Sequence, residues 1–357
     1  MTAFLDIDLD AIIANWRLLA QINRTGETAS VVKADAYGLG AARVAPALAA
    51  AGCKTFFAAH LAEAVALRPL LPGARILTLN GLTPHAAADF VAHDIIPVLS
   101  SLHDIALWRA EAHGLGRVLP AVLHLETGLH RLALDAREVA SLTEDPALLA
   151  GLKVETVMSH LINAEVPEDP RNQCQLASFL AFATRFEGAR RSIANSPGSF
   201  LGPEFQLELT RPGAALYGLN TSPLQPRKLH PALRLVAPIL QIHDIAVGES
   251  VGYAGLWTAR RPSRIATIGV GYGDGLLRSL TNHGVAYFDD TPVPLVGRVS
   301  MDLATFDVTD VPAVPGGLLV LLNDRHGADE LGQEAGSIGY EILTSLGRRY
   351  QRRYSGG

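Results

Sequence analysis

The strongest constraint on this 357-residue chain is a rhythm in its first 210 residues. Short apolar or β-branched runs recur at 30–33, 55–59, 75–79, 95–99, 118–125, 153–159, 192–195 and 207–210. Between most of them lie Ala/Leu-rich stretches with helical spacing, at 41–51, 61–70, 84–93, 105–113 and 173–186. Strands that alternate with helices need a parallel sheet, because a crossover helix returns each strand in the same direction. Eight such runs over this length match an N-terminal eight-stranded (β/α)8 TIM-type barrel in the α/β class. An open doubly wound sheet is the competing architecture.

After Pro223 the texture changes, with Pro223, Pro226 and Pro231 punctuating a linker. Runs at 233–245, 264–270, 285–288, 293–299, 304–308 and 318–322 then read as a C-terminal, mostly β-strand domain, with a short helix near 336–346. The net charge of -5 is spread without long runs, which gives no footprint for nucleic acid or an anionic membrane. Cys53 and Cys174 form no spacing motif and fit a reducing cytoplasm. The opening MTAFLDIDLD carries acids by residue 6, unlike a secretory signal, and no stretch is apolar enough to span a membrane.

In a parallel barrel the reactive groups gather at the carboxyl ends of the strands. Lys33, Arg131, His160, Asn195 with Ser196, and Arg211 with Gly213 follow the first, fifth, sixth, seventh and eighth runs. That set offers an amine, cations, a hydroxyl and glycine-rich backbone. It lacks a paired carboxylate, a cysteine nucleophile and the spacing of a metal site, so no metal is expected. The chain has only four lysines; Lys54 and Lys153 fall at the amino ends of strands and Lys228 in the linker. Lys33 alone sits at the reactive end, where lost solvation makes an amine neutral and nucleophilic, although a lysine snorkelling from the rim fits the position as well. The SPG and RPG segments at Ser196 and Gly213 suit a phosphate, and serve equally as ordinary turns. GYGDG at 271–275 opens no clear helix and is no dinucleotide fingerprint; Tyr253 carries no signal by itself.

Taken together these segments resemble a known family. VVKADAYGLG is similar to the cofactor-lysine motif of the alanine racemases, and ETGLHRLAL to their fifth-strand arginine motif. SHL, NS, RPGAALYG, VGYAG, GYGDG, GRVSMD and RRYQRRY follow in the family's order, so the resemblance spans nearly the whole chain. It implies a pyridoxal 5'-phosphate-dependent interconversion of L- and D-alanine, supplying D-alanine for peptidoglycan, by a cytoplasmic homodimer with shared active sites. Its implied division is a cofactor-binding barrel over 6–224 and a β domain over 225–357 that takes in strand residues 1–5.

For individual residues the resemblance implies two catalytic bases, Lys33, which also carries the cofactor covalently, and Tyr253, which reaches in from the other subunit. It assigns His160 to the cofactor ring and Arg211 to the ring nitrogen, the two being linked. Tyr37, Ser196, Gly213, Ala214 and Tyr354 form the phosphate cradle. Arg131 and Met301 bind substrate, supported by Asp302, by Tyr272 at the access channel and by His124. His124 is a departure, since many members carry a CO2-modified lysine there that positions the arginine. The rival readings are a racemase of the same fold with broader specificity (serine or lysine), a barrel-type decarboxylase, which leans on an acid where Arg211 stands, and a cofactor carrier without catalysis.

Overall fold

The computed structural model describes every residue except Met1, Thr25 and 226–228, so the readings of Pro226 as linker and of Lys228 lie outside the described residues. Eight short parallel strands form the barrel expected from the rhythm. The first is split into Glu27–Thr28 and Ser30–Val31; the others are Thr55–Ala58, Arg75–Thr78, Ile96–Leu99, Leu119–His124, Leu152–Met158, Arg190–Ser192 and Leu209–Thr210. Seven pair in sequence order, and the eighth pairs with Glu27–Thr28. Closure is secured by backbone bonds from Ala29 to Thr210 (2.9 Å), Val31 to Pro212 (3.0 Å) and Arg211 to Ala194 (2.9 Å). Thr55–Ala58 and Ile96–Leu99 are buried at every residue, as strands covered on both faces must be.

Helix boundaries follow from polar caps. Asp8 caps Leu9–Ile22, and Asp135 with Glu138 forms a capping box on Ala136–Glu144. The sequence rhythm had not singled out either helix. Asp169 caps Pro170–Ala183, where the proline occupies the first turn.

The seventh strand lies at Arg190–Ser192, earlier than 192–195, which leaves Asn195 and Ser196 on the following loop. In the second half, Thr291–Pro294 replaces the longer run 293–299, because Gly297 turns the chain at φ +79°. The short helix expected near 336–346 is present at Gly339–Thr344, and a further helix, Ala328–Glu334, precedes it, the two separated at Gly336 with φ +67°.

The β domain is built on the 13-residue strand Leu233–Ile245, which pairs antiparallel with Phe4–Asp8, Leu318–Leu322 and Ser263–Ile268. Phe4–Asp8 in turn pairs in parallel with the last strand, Gln351–Ser355. One continuous apolar core runs from barrel to β domain. The two halves meet behind Lys33: Arg352 donates to the Gly38 carbonyl (3.0 Å), and a Cβ at Gly38 would strike the Leu343 carbonyl.

Candidate active site

A cavity of about 900 Å³ opens at the carboxyl ends of the barrel strands, with Lys33, Arg131, His160 and Arg211 on its walls. Lys33 stands at the start of an unusual turn. Ala34, Asp35, Ala36 and Tyr37 all have positive φ, from +51° to +56°, so four successive L-residues are left-handed. Local bonds hold the turn: Gly38 N–H donates to the Ala34 carbonyl (2.8 Å) and Gly40 N–H to that of Asp35 (2.8 Å), while the Asp35 carboxylate accepts from Ala41 N–H (2.7 Å). Glu63 fastens its beginning, accepting from Ala34 N–H (2.7 Å) with one oxygen and from Ala59 N–H (2.8 Å) with the other. Burial, helped by the charge of Arg131 and opposed by Glu63, lowers the pKa of the Lys33 amine.

The floor is cationic. Arg211 is buried and donates to the Ser159 carbonyl (2.6 Å) and to the Ser192 hydroxyl. Burial brings its pKa down to about 9, which leaves it charged at neutral pH. His160 and His124 are both held down at about 3, first by burial and then by Arg211 and Arg131. Two neutral imidazoles thus stand among guanidinium groups, so His124 offers its neighbour Arg131 no charge. The expected link between His160 and Arg211 is not made: among the described residues no hydrogen bond joins them, because the guanidinium is turned to Ser159 and Ser192.

Opposite the lysine lies a cradle of small residues. Ser196 Oγ accepts from Gly213 N–H (2.9 Å) and Ala215 N–H (3.1 Å), which fixes the two loops together. Gly213 has no room for a side chain, since a Cβ would lie 2.5 Å from Tyr37 Oη. Among the described residues neither the Tyr37 hydroxyl nor Ala214 N–H has a hydrogen-bond partner, so two donors face the cavity ready for an anion. A nucleophilic amine, an anion cradle and a buried cation are what pyridoxal 5'-phosphate requires of its holder, and the residues present fit it.

Tyr354 falls elsewhere. Its hydroxyl donates to the Leu39 carbonyl (3.0 Å) behind the turn, and it does not line the cavity. Tyr340 does, from the helix Gly339–Thr344, with its ring 6.3 Å from that of Tyr37. The sequence carried no local signal for Tyr340, which reaches the barrel mouth only because the β domain folds onto it. Tyr253, Tyr272, Met301 and Asp302 are exposed on the β domain and none lines this cavity; Tyr253 is 69% exposed. Their loops are nonetheless ordered around each other. Tyr272 N–H donates to the Ser300 carbonyl (3.0 Å), Gly273 N–H to that of Met301 (2.8 Å), and Arg349 bridges Asp274 and Asp302 (both 2.6 Å). Among the described residues no cluster of side chains suits a metal ion.

Comparison with known proteins agrees with this geometry. Family models described as "Alanine racemase, N-terminal domain" and "Alanine racemase, C-terminal domain" match residues 7–221 and 232–354. A protein of Acidiphilium cryptum named alanine racemase is 55% identical, covering 98% of this chain and 97% of its own. The crystal structure of alanine racemase from Bartonella henselae with covalently bound pyridoxal phosphate superposes at TM-score 0.96 with 39% identity, over 99% of this chain and all of that one. The biosynthetic alanine racemase of Pseudomonas aeruginosa gives TM-score 0.92 and 32% identity, over 99% of each chain.

Proposed function

The chain belongs to the alanine racemase family and interconverts L- and D-alanine with pyridoxal 5'-phosphate, and on that premise we propose that its two catalytic bases are Lys33 and the partner's Tyr253. The observation that carries this reading is the pairing of a half-buried amine of lowered pKa inside the cavity with a phenol 69% exposed outside it on the same chain. A phenol so placed serves a cavity of a second copy.

The cofactor, when bound, supplies an electron-withdrawing ring that acidifies the α-hydrogen of an attached amino acid. Lys33 would hold the cofactor aldehyde, and Tyr37, Ser196, Gly213 and Ala214, which line the cavity, would hold its phosphate together with Tyr340, in place of Tyr354, whose hydroxyl is bonded to Leu39. Arg211 would serve the ring nitrogen as a donor that keeps its own proton, and His160, on the same cavity wall, would pack against the ring. Arg131 takes the substrate carboxylate, and Met301 and Asp302 of the partner subunit border the substrate, with Tyr272 of the partner subunit at the channel.

Two bases on opposite faces of the α-carbon remove any need for the substrate to swing round. The Lys33 amine takes or returns the proton on one face; its lowered pKa leaves a neutral fraction able to accept. The Tyr253 hydroxyl does the same on the other face. In this reading the barrel unit is residues 6–224 and the β unit 225–357 with 1–5, and the strand Phe4–Asp8, paired into the β-domain sheet, spans the boundary between them. Among the described residues no helix is long and apolar enough to cross a membrane, and the reading places the protein in the cytoplasm, where Cys53 and Cys174 remain free thiols.

Mixing subunits tests the proposal. Lys33→Ala and Tyr253→Phe should each abolish racemisation. In a mixed dimer of the two, one site regains both wild-type bases, so an equimolar mixture should recover roughly a quarter of the wild-type rate. No recovery from a mixture shown to exchange subunits would refute the shared site. In Tyr253→Phe alone, one enantiomer should still exchange its α-hydrogen with deuterated solvent without inversion.

A further inference from the structure

We propose that Gln175 and Thr127 are positioning residues that lock the loop bearing Arg131 to the loop bearing His160. The proposal rests on the assignment of Arg131 to the substrate carboxylate. Gln175 lies on the helix Pro170–Ala183, is 2% exposed, and points its amide between the fifth and sixth barrel loops. Its Nε2 donates to Thr127 Oγ1 (3.1 Å) and to the His160 carbonyl (3.0 Å), while its Oε1 accepts from Ile162 N–H (3.0 Å).

The orientation of this amide is determined by its partners. Reversing it would set its oxygen against the His160 carbonyl and its NH2 against the Ile162 N–H. With both Nε2 hydrogens committed, Thr127 Oγ1 is an acceptor toward Gln175, and it shares a hydroxyl–hydroxyl hydrogen bond with Ser159 Oγ (2.6 Å). The Ser159 carbonyl in turn accepts from Arg211 (2.6 Å). One hydrogen-bonded chain therefore joins the Arg131 loop, the backbone of His160 and the guanidinium on the cavity floor.

The Arg131 loop needs that tie. Its neck is closed by Leu134 N–H on the His124 carbonyl (2.7 Å) and Glu126 N–H on the Leu134 carbonyl (2.9 Å). Within it, Glu126 accepts from His130 N–H (2.8 Å) and from Gly128 N–H, which are bonds inside the loop. Among the described residues, Thr127 supplies the side-chain hydrogen bonds between residues 126–133 and any other segment. The Arg131 side chain makes no hydrogen bond among the described residues, so its aim depends on the loop that carries it. His124 beneath it is a neutral imidazole and adds no charge to steer it.

The test uses the cofactor-loaded enzyme with Thr127→Val, which keeps the shape and removes the hydroxyl, and Thr127→Ser, which restores it. Thr127→Val should raise KM for alanine about five- to tenfold, the equilibrium weight of a lost hydrogen bond. It should change kcat less than KM and leave pyridoxal phosphate affinity within twofold. Amide hydrogen exchange over residues 125–134 should accelerate by a similar factor, and Thr127→Ser should match the wild type in every measure. Unchanged KM and unchanged exchange in Thr127→Val would overturn the proposal, as would failure of Thr127→Ser to rescue. Thr127→Ala makes the same comparison if the valine variant does not accumulate. Arg131→Lys separates the two assignments. If it leaves KM untouched, the carboxylate role of Arg131 fails, and the exchange rates then decide the link.

Discussion

Replacing Ala34 with glycine should stabilise this protein, although the same change in an ordinary helix destabilises. The residue begins the left-handed turn after Lys33 at φ +51°, ψ +49°. An L-residue pays about 1–2 kcal/mol to adopt that conformation, because Cβ crowds the following carbonyl oxygen. Glycine has no Cβ, but its unfolded chain is freer by roughly 0.5–1 kcal/mol. The difference favours Ala34→Gly by up to about 1.5 kcal/mol, with a midpoint of roughly 0.75 kcal/mol. Were Ala34 right-handed, the same substitution would cost about 1 kcal/mol, so the two cases differ in sign. Other contributions are small here. Ala34 is exposed, so no apolar burial is lost, and glycine retains the N–H that donates to Glu63. Ala34→Val should lie on the other side of the wild type, since a β-branched residue tolerates positive φ worst. The measurement is the urea midpoint of the loaded enzyme at fixed pyridoxal phosphate concentration, with the slope checked for constancy. The expected order is Gly, Ala, Val from most to least stable. A lower midpoint for Ala34→Gly, at equal slope, would show that the turn is not left-handed in solution.

Two further outcomes follow from the cavity. Gly213→Ala would place a methyl 2.5 Å from Tyr37 Oη and 3.3 Å from Val31 Cβ. Overpacking of this kind costs about 1–3 kcal/mol, so cofactor affinity should fall roughly 5- to 150-fold in an absorbance titration; an unaltered affinity would remove Gly213 from the cradle. His124 and His160, held near 3 when folded against about 6.5 unfolded, make the unfolded chain the better proton binder between those values. Stability of the cofactor-stripped protein should therefore decline as pH falls below 6.5, each imidazole contributing a slope of up to about 1.4 kcal/mol per pH unit. His124→Gln should flatten the curve between pH 6.5 and 5, and an unflattened curve would mean that His124 titrates normally.

The sequence rhythm was enough for the barrel, because a strand buried on both faces must be apolar at every position, as Thr55–Ala58 is. Lys33 stood out for a related reason: a chain with four lysines places only this one after a strand at the reactive end. The helices Leu9–Ile22 and Ala136–Glu144 escaped that reading, although their capping residues Asp8 and Asp135 were there to be found. The link from His160 to Arg211 followed from resemblance, and among the described residues no hydrogen bond joins them, the buried guanidinium bonding Ser159 and Ser192 instead.

What the linear order determined by itself was local. Strand and helix periodicity, the caps, the lysine at a strand end and the serine and glycine of the cradle are all properties of a few neighbouring residues. What only the tertiary structure decided was which distant groups meet. Tyr340 replaces Tyr354 at the cavity because a helix of the β domain lies against the lysine turn. Gln175 reaches two loops because its helix packs beneath both. The four left-handed residues are tolerated because Glu63, from the next barrel unit, and the buried Tyr37 offset their strain. Periodicity records which face of an element is buried, and it holds no information about the partner that covers it.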